Sequence, residues 1–133
     1  MTDFTNEIKF LDTHDVDLLT FSTNVAGTTF VKNSSKVLEF LKNKVSPSNI
    51  ILKLIREPEN EFDEYAVRVD VSVVGAKTYT KLGYVPKDKA RLLSYVLLNH
   101  LDYGVDISNI SVVGGDYLRP NIGVFFDYKI CKY

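Results

Sequence analysis

The chain has 133 residues, of which 45% are hydrophobic and 25% charged, and its 16 basic and 17 acidic side chains leave a net charge of −1. This size and composition are typical of one globular domain, and they exclude a disordered chain, a coiled coil and a collagen-like rod. No apolar run approaches the ~18 residues of a membrane span, no signal-peptide profile opens the sequence, and the one cysteine is Cys131, so we expect a cytoplasmic protein without disulfides, zinc or membrane contact.

The charges are distributed unevenly along the chain. The first 20 residues carry five acidic side chains and one lysine, and five further acids lie within residues 57–64. Elsewhere basic residues are in excess. We therefore predict an acidic N-terminal arm over residues 1–17 and one domain over residues 18–133, with a local field that depends on how the fold arranges these groups.

The first half of the domain contains signals for two strands and one helix. Apolar residues alternate with polar ones over 19–25, which predicts a half-buried strand ended by Gly27. The sequence Asn33-Ser34-Ser35 supplies side-chain acceptors for helical amides, and the apolar spacing that follows predicts a helix over about 35–44. The apolar run over 50–55 predicts a buried strand that leads into the acidic segment.

The second half contains a hairpin, a helix and two further strands. Valines alternate over 66–74, and a Gly-Ala turn leads into the strand predicted over 77–85. Pro86 opens a helix predicted over about 87–101, with Gly104 as its stop, and strands follow at about 108–113 and 122–129. About six strands and two helices predict a mostly β, α+β fold, an OB-like or SH3-like antiparallel β-barrel that is closed or nearly so.

Catalytic and metal-binding patterns are missing from the sequence. It has two histidines, His14 and His100, and no nucleophile elbow or phosphate-binding glycine-rich loop. The segment His14-Asp15-Val16-Asp17 and the carboxylates of 57–64 lack the spacing of an EF-hand or a helical His pair. We therefore expect no enzyme, no catalytic or metal-ligating residues and no cofactor, and a metal-dependent nuclease that uses the 57–64 carboxylates is the weakest alternative.

Cations gather at the start of the helix predicted after Pro86. Lys87, Lys89 and Arg91 lie in its first turns, where the helix dipole disfavours positive charge by ~0.3–1 kcal/mol each. Such an arrangement favours an anion, most naturally a phosphate, bound by cations and free amides together. The alternative is that these are surface side chains extending into water. Aromatic residues in or beside the turns are candidates for stacking bases: Phe30, Phe62, Tyr84 and Tyr117.

Three segments resemble the HIRAN domain family. They are Val25-Ala26-Gly27-x-x-Phe30, the stretch Leu54 to Val69 with its pattern Arg-Glu-Pro-x-Asn-x-x-Asp-x-x-Ala-Val, and Leu82-Gly83-Tyr84-Val85-Pro86 before a leucine-rich helix. The resemblance covers about residues 18–130. It implies a modified OB-like barrel with two helices, found beside DNA-remodelling helicases and as free-standing proteins, and DNA-bound members capture the 3′ end of a single strand.

The resemblance also implies roles for individual residues. Phe30 and Phe62 would stack the terminal bases, and Asp63 would accept a hydrogen bond from the 3′-hydroxyl. Tyr84 and Lys87 would contact the backbone phosphate, and Tyr117 would form a third aromatic wall. Two of these residues have structural alternatives, since Asp63 can anchor the turn after Asn60 and Phe62 can plug the end of the barrel.

One position departs from the family pattern. Thr29 stands where DNA-binding members place an arginine, and the loss of one charged phosphate contact costs ~1.5–3 kcal/mol. Arg119, from another loop, is the candidate replacement. The stretch 32–47 is longer than the family's usual connection, and the acidic first 20 residues are a candidate cover for the groove. Thr29, the long stretch 32–47 and the acidic N-terminal residues each argue against DNA binding.

The sequence as a whole predicts a non-enzymatic domain that captures single-stranded DNA ends by aromatic stacking and phosphate contacts. Its partners would be single-stranded DNA or DNA ends, together with a protein such as a helicase or nuclease. The alternative is a protein-interaction module that kept the fold and lost end binding.

Overall fold

Six strands form two three-stranded antiparallel sheets in the computed structural model, which describes residues 3–133. The strands are β1 (Phe21–Asn24), β2 (Ile50–Arg56), β3 (Val67–Val73), β4 (Thr80–Tyr84), β5 (Tyr103–Val113) and β6 (Gly123–Lys132). One sheet has the order β1-β6-β5 and the other β2-β3-β4. Every strand predicted from the alternation of apolar residues is present, and β5 starts several residues earlier than expected.

Three α-helices accompany the sheets instead of the two predicted. They are α1 (Thr5–Thr13), α2 (Ser34–Lys44) and α3 (Lys87–Leu98). The predicted side-chain caps of α2 are absent, because Asn33 makes no capping hydrogen bond and the Ser34 hydroxyl donates to the Thr28 carbonyl. The predicted stop of α3 at Gly104 is wrong: the helix ends at Leu98, where the Asn99 side-chain amide donates to the Tyr95 carbonyl, and Gly104 belongs to β5.

The predicted closed barrel is also not found in residues 3–133. One two-residue bridge joins the sheets, in which the N–H of Ala26 donates to the Tyr84 carbonyl over 2.7 Å and the N–H of Tyr84 donates to the Ala26 carbonyl over 2.9 Å. β2 and β5 belong to different sheets. A 410 Å³ groove lies between the start of β2, with the preceding 3₁₀ turn Pro47–Asn49, and residues 107–110 of β5.

Gly83 makes the close approach at the bridge sterically feasible. A Cβ placed on Gly83 would overlap the Ala26 carbonyl oxygen and the Val25 side chain. A glycine inside a strand often marks such an approach of another backbone segment. The sheets therefore meet where a glycine allows it, and the residues on either side of this junction are brought together.

The main hydrophobic core contains buried residues of both sheets and of α2 and α3. Val69 and Leu82 of one sheet, Phe126 of the other, and Leu41 and Leu93 of the helices belong to it. None of the helices within residues 3–133 is both long and apolar enough to traverse a bilayer. The helices instead cover the sheets, and α3 brings its first turn next to the junction at Tyr84.

A second hydrophobic cluster holds the N-terminal segment against the domain. Leu11 of α1, only 1% exposed, packs with Val16, Val96 of α3 and Ile130 of β6. The Phe4 ring lies edge-on to Tyr65 and Tyr95, at centroid distances of 5.4 and 5.2 Å. The first two residues of the arm predicted over 1–17 lie outside the described residues. The remainder is packed on α3 and β6.

Candidate nucleic-acid interface

A groove of 810 Å³ opens beside the junction of the two sheets. It is lined by Gly27, Phe30, Glu57, Glu59, Asn60, Glu61, Phe62, Lys81 and Tyr84. Three of the aromatic residues singled out in the sequence therefore share one groove, although they come from three separate segments. We call this site the aromatic groove.

The phenylalanines of the aromatic groove are almost fully exposed. The Phe30 side chain, at the end of a 3₁₀ turn that follows Gly27, is 92% exposed, and the Phe62 side chain is 86% exposed. Phe62 therefore does not plug the end of a barrel. Exposing two large apolar rings in one groove has a cost in solvation that folding does not recover, and such clustering is typical of a binding surface.

The loop that carries Phe62 is fixed by its own polar side chains. The Asn60 Oδ1 atom accepts hydrogen bonds from the N–H groups of Phe62 and Asp63, over 2.9 and 3.1 Å. Asp63 Oδ1 accepts the N–H of Tyr65 over 2.9 Å. Asp63 thus anchors the turn and does not line the groove. Phe62, in contrast, has its backbone N–H held by Asn60 while its ring faces water.

Glu57 connects the aromatic groove to the sheet beneath it. The Tyr84 hydroxyl donates to Glu57 Oε1 over 2.8 Å, the Asn60 amide donates to the same oxygen over 3.1 Å, and Arg68 donates to Oε2 over 3.2 Å. Burial opposes ionisation of Glu57, but these three hydrogen bonds outweigh it and lower its pKa. The groove therefore contains a fixed, ionised carboxylate.

Glu57→Gln is expected to be less stable than the wild type at neutral pH, because an amide carries no charge to attract Arg68. The pKa of Glu57 is lower in the folded protein than its ordinary value of 4.5. Its ionised carboxylate therefore contributes fully to the free energy of unfolding above pH 4.5, and this contribution is lost as the pH falls through the folded pKa. Urea unfolding at neutral pH and at about pH 3 should show the difference shrinking on acidification. Glu59→Gln, at an exposed position, is the control. A pH-independent difference would contradict this role.

Lys81 is a groove residue that the sequence analysis missed. Its Nζ lies 4.7 Å from the centroid of the Tyr84 ring. Strict alternation puts residues three apart on opposite faces of a strand, but the pairing of β3 with β4 shifts between Val69 and Asp70, leaving Leu82 as an extra residue. This bulge brings Lys81 and Tyr84 to one face. Gly83, which follows Leu82, was the feature of the sequence that indicated a bulge, because a glycine inside a strand often marks one.

The remaining predicted residues lie outside the aromatic groove. Thr29 lines an adjacent 490 Å³ cavity together with residues 120–122. Tyr117, 97% exposed, and Arg119 lie in the loop between β5 and β6, where the Arg119 guanidinium is 5.6 Å from the Phe125 ring centroid. Lys87 is exposed at the start of α3, three residues after Tyr84. The structure thus brings Phe30, Phe62 and Tyr84 together and does not place these four residues with them.

The cations at the start of α3 do not form one anion site. Arg91 donates to the Asp3 carbonyl over 2.6 Å, lies 3.6 Å from the Glu7 carboxylate and covers the Tyr65 ring at 4.2 Å. Lys89 is paired with Asp88 at 3.3 Å. The prediction that all three cations face one phosphate is therefore wrong for Arg91, which holds the N-terminal segment. None of residues 3–17 lines the aromatic groove.

The acidic loop does not form a metal centre in the described part of the chain. Within residues 3–133, no group of three or more His, Cys, Asp or Glu side chains is arranged to hold a metal ion. Glu57, the most buried groove carboxylate, instead accepts hydrogen bonds from neighbouring side chains. What the groove offers is aromatic surface, one lysine, one carboxylate fixed by hydrogen bonds and two exposed carboxylates.

Comparisons with known proteins agree with the fold. The model of the HIRAN domain family matches residues 18–117. The crystal structure of the HIRAN domain of human HLTF has a TM-score of 0.51 and 19% identity, and the match covers 85% of this chain and 76% of that one. No curated protein matches the chain in sequence. The likeness to the solved structure concerns the fold.

Proposed function

Because the chain belongs to the HIRAN domain family, a family of DNA-binding modules that are generally non-catalytic, we propose that it binds single-stranded DNA ends in its aromatic groove. The observation that carries the proposal is the clustering of Phe30, Phe62 and Tyr84 in one groove, with the two phenylalanine rings exposed. Stacking of a base on an aromatic ring contributes ~1–3 kcal/mol and requires no particular base. The groove therefore suits a splayed strand terminus of any sequence.

The charges in the aromatic groove favour a hydroxyl over a phosphate at the strand terminus. Three glutamates line it, at positions 57, 59 and 61, and Lys81 is the only cation among its lining residues. A carboxylate accepts a hydrogen bond from a hydroxyl but repels a terminal phosphate. In the proposed arrangement the 3′-hydroxyl lies near Glu57, and the first backbone phosphate lies toward Lys81 and Lys87.

The acceptor for the terminal hydroxyl in this arrangement is Glu57 and not Asp63. Asp63 is the residue that the family resemblance implies, but its Oδ1 atom holds the turn and the residue does not line the groove. Glu57 lines the groove, and its Oε2 accepts one hydrogen bond, from Arg68, which leaves a lone pair for a ligand. We therefore expect Glu57→Gln and Asp63→Asn to differ in their effect on the preference for a 3′-hydroxyl.

A 5′-labelled single strand with a 3′-hydroxyl is expected to bind at least about tenfold more tightly than the same strand with a 3′-phosphate. Fluorescence anisotropy at low and moderate salt measures both affinities. Glu57→Gln should reduce the preference, whereas Asp63→Asn should leave it unchanged, because the amide oxygen of asparagine still accepts the Tyr65 N–H that holds the turn. Equal affinities that fall together with salt would indicate a basic surface without end capture, and absence of binding at low salt would refute the proposal.

A second candidate function is a protein-interaction module that keeps the fold and does not bind DNA. The observation that favours it is the acidic lining of the groove, together with Arg91 being engaged by the N-terminal segment. A groove with exposed aromatic rings and glutamates also suits a basic peptide, such as one from a helicase or nuclease. Absence of single-stranded DNA binding at low salt would favour this candidate.

A further inference from the structure

The outer face of the β1-β6-β5 sheet carries two rows of polar side chains around one aromatic ring. In the first row Asn24, Phe125 and Ser111 lie directly opposite one another across the three strands. In the second row Ser22 and Asp127 are paired in the same way. Because cross-strand partners point to the same side of a sheet, these five side chains share one face. We call it the Phe125 face.

The carboxylate of the Phe125 face is held in place from both sides. The Ser22 hydroxyl donates to Asp127 Oδ1 over 2.7 Å, and the Asn109 amide donates to Oδ2 over 2.9 Å. These two hydrogen bonds lower the pKa of Asp127, so it is an ionised acceptor. Asn109 reaches it from a left-handed backbone conformation, with φ at 50°, where the pairing of β5 with β6 shifts by one residue. The bulge therefore aims this amide at the carboxylate.

Phe125, at the centre of this face, is partly exposed. A groove of 310 Å³ lies over it, with Lys89 of α3 at one side. Within residues 3–133, the Asn24 amide and the Ser111 hydroxyl that flank Phe125 form no hydrogen bond. The Arg119 guanidinium stands 5.6 Å from the ring centroid. One ring, uncommitted amide and hydroxyl groups, a fixed acceptor and two nearby cations are therefore assembled at one place.

This combination matches the chemistry of a nucleotide better than that of a simple anion. A site for phosphate alone needs cations and N–H donors, and a carboxylate at its centre would oppose it. A nucleobase presents a flat apolar surface and an edge with both donors and acceptors, for which Phe125, Asn24 and Asp127 are suitable partners. Lys89 and Arg119 are then placed for the flanking phosphates.

The Phe125 face is close to the aromatic groove along the chain. Ala26, which pairs with Tyr84 of the groove, is two residues from Asn24, a distance of about 7 Å in an extended strand. Lys87 and Lys89 lie in the same first turns of α3, and Lys89 lines the groove over the Phe125 face. The two sites are thus joined by the short segment that links Asn24 to Ala26 and by the first turns of α3.

We propose that the Phe125 face is a second binding site for single-stranded nucleic acid, in which Phe125 stacks a base and Asn24, Ser111 and Asp127 hydrogen-bond to its edge. The proposal rests on the proposed function, since it concerns the strand whose end occupies the aromatic groove. It adds a site that does not depend on the strand terminus. Affinity should consequently rise with strand length beyond what the aromatic groove alone can contact.

Two strand lengths and three leucine variants test this site. Fluorescence anisotropy compares 3′-hydroxyl strands of about 3 and about 12 nucleotides. Phe125→Leu is expected to weaken the longer strand about fivefold or more and to leave the shorter strand within about twofold. Phe62→Leu, in the aromatic groove, should weaken both strands. Phe40→Leu, at an exposed position of α2 that lines a different groove, should weaken neither.

The results separate the failure of this site from the failure of the proposed function. Two results would refute the second site while end binding stands, provided that the wild type binds both strands. In one, Phe125→Leu binds both strands as tightly as the wild type; in the other, it loses the same factor of affinity for both. If the wild type binds neither strand, the proposed function is refuted, and the second site is refuted with it. Amide chemical shifts of the wild-type protein provide a variant-free check: those of Asn24, Ser111 and Phe125 should move with the longer strand only, and equal movement with both would refute the site.

Discussion

Replacing Phe62 with alanine is expected to weaken binding of a 3′-hydroxyl single strand by about fivefold to more than a hundredfold, the equivalent of ~1–3 kcal/mol for one stacked base. The ring is 86% exposed, so its removal takes almost no apolar surface out of the core. Surface changes of this kind usually alter the free energy of unfolding by no more than ~0.5 kcal/mol. Anisotropy titrations and thermal unfolding of the same preparations measure both quantities.

A matched aromatic variant separates stacking on Phe62 from a general loss of aromatic surface. Tyr79 is 45% exposed just before β4 and does not line the aromatic groove, so Tyr79→Ala should leave DNA affinity unchanged. If Phe62→Ala is folded and binds as tightly as the wild type, the groove does not stack bases through this ring. If it is instead strongly destabilised, the loop 57–65 depends on contacts of Phe62 that its exposure does not indicate.

Hydrophobic patterning, as alternation or as an apolar run, was enough to locate all six strands, but it did not determine how the sheets close. Periodicity reports which side of a strand is buried, whereas closure depends on which edges meet. Here the segment after β1 reaches the second sheet through Ala26, beside a glycine, and β2 and β5 belong to different sheets with a groove between them. Neither feature leaves a signal in hydrophobic periodicity.

The aromatic part of the candidate site could be predicted from the sequence, and its charged part could not. Phe30, Phe62 and Tyr84 were found as aromatic residues beside turns and through the family resemblance, and they meet in one groove, whereas Tyr117, the predicted third aromatic wall, lies outside it. Lys81 and Glu57 join them because a bulge in β4 and a hydrogen-bonded loop change which side chains share a face. Such local irregularities are set by tertiary contacts, so a strict period of two cannot anticipate them.

The N-terminal segment was predicted as an arm because its excess of acidic residues obscured a short apolar pattern. Phe4, Ile8 and Leu11 recur at helical spacing, but α1 has only nine residues, too few to be stable alone in water. Its stability comes from packing on α3 and β6. The sequence could therefore not distinguish a docked helix from a solvated arm.

Leu11→Ala is expected to lower the free energy of unfolding by about 2–5 kcal/mol, the usual cost of emptying a well-packed leucine site. Leu11 is 1% exposed and packs with the buried residues Val16, Val96 and Ile130. Chemical denaturation measures the change. Ile8→Ala, on the same helix but 42% exposed, should cost much less.

The consequence of Leu11→Ala for binding follows from what α1 holds. The N-terminal segment contacts Arg91 through the Asp3 carbonyl and contacts Tyr65 through Phe4 and Asp3, and Tyr65 directly follows the loop that carries Phe62. Loosening α1 should therefore weaken DNA binding even at temperatures where the variant remains folded, while Ile8→Ala should not. Equal stability of the two variants would show that α1 is only loosely docked, and unchanged affinity of a folded Leu11→Ala would show that the loop keeps its conformation without α1.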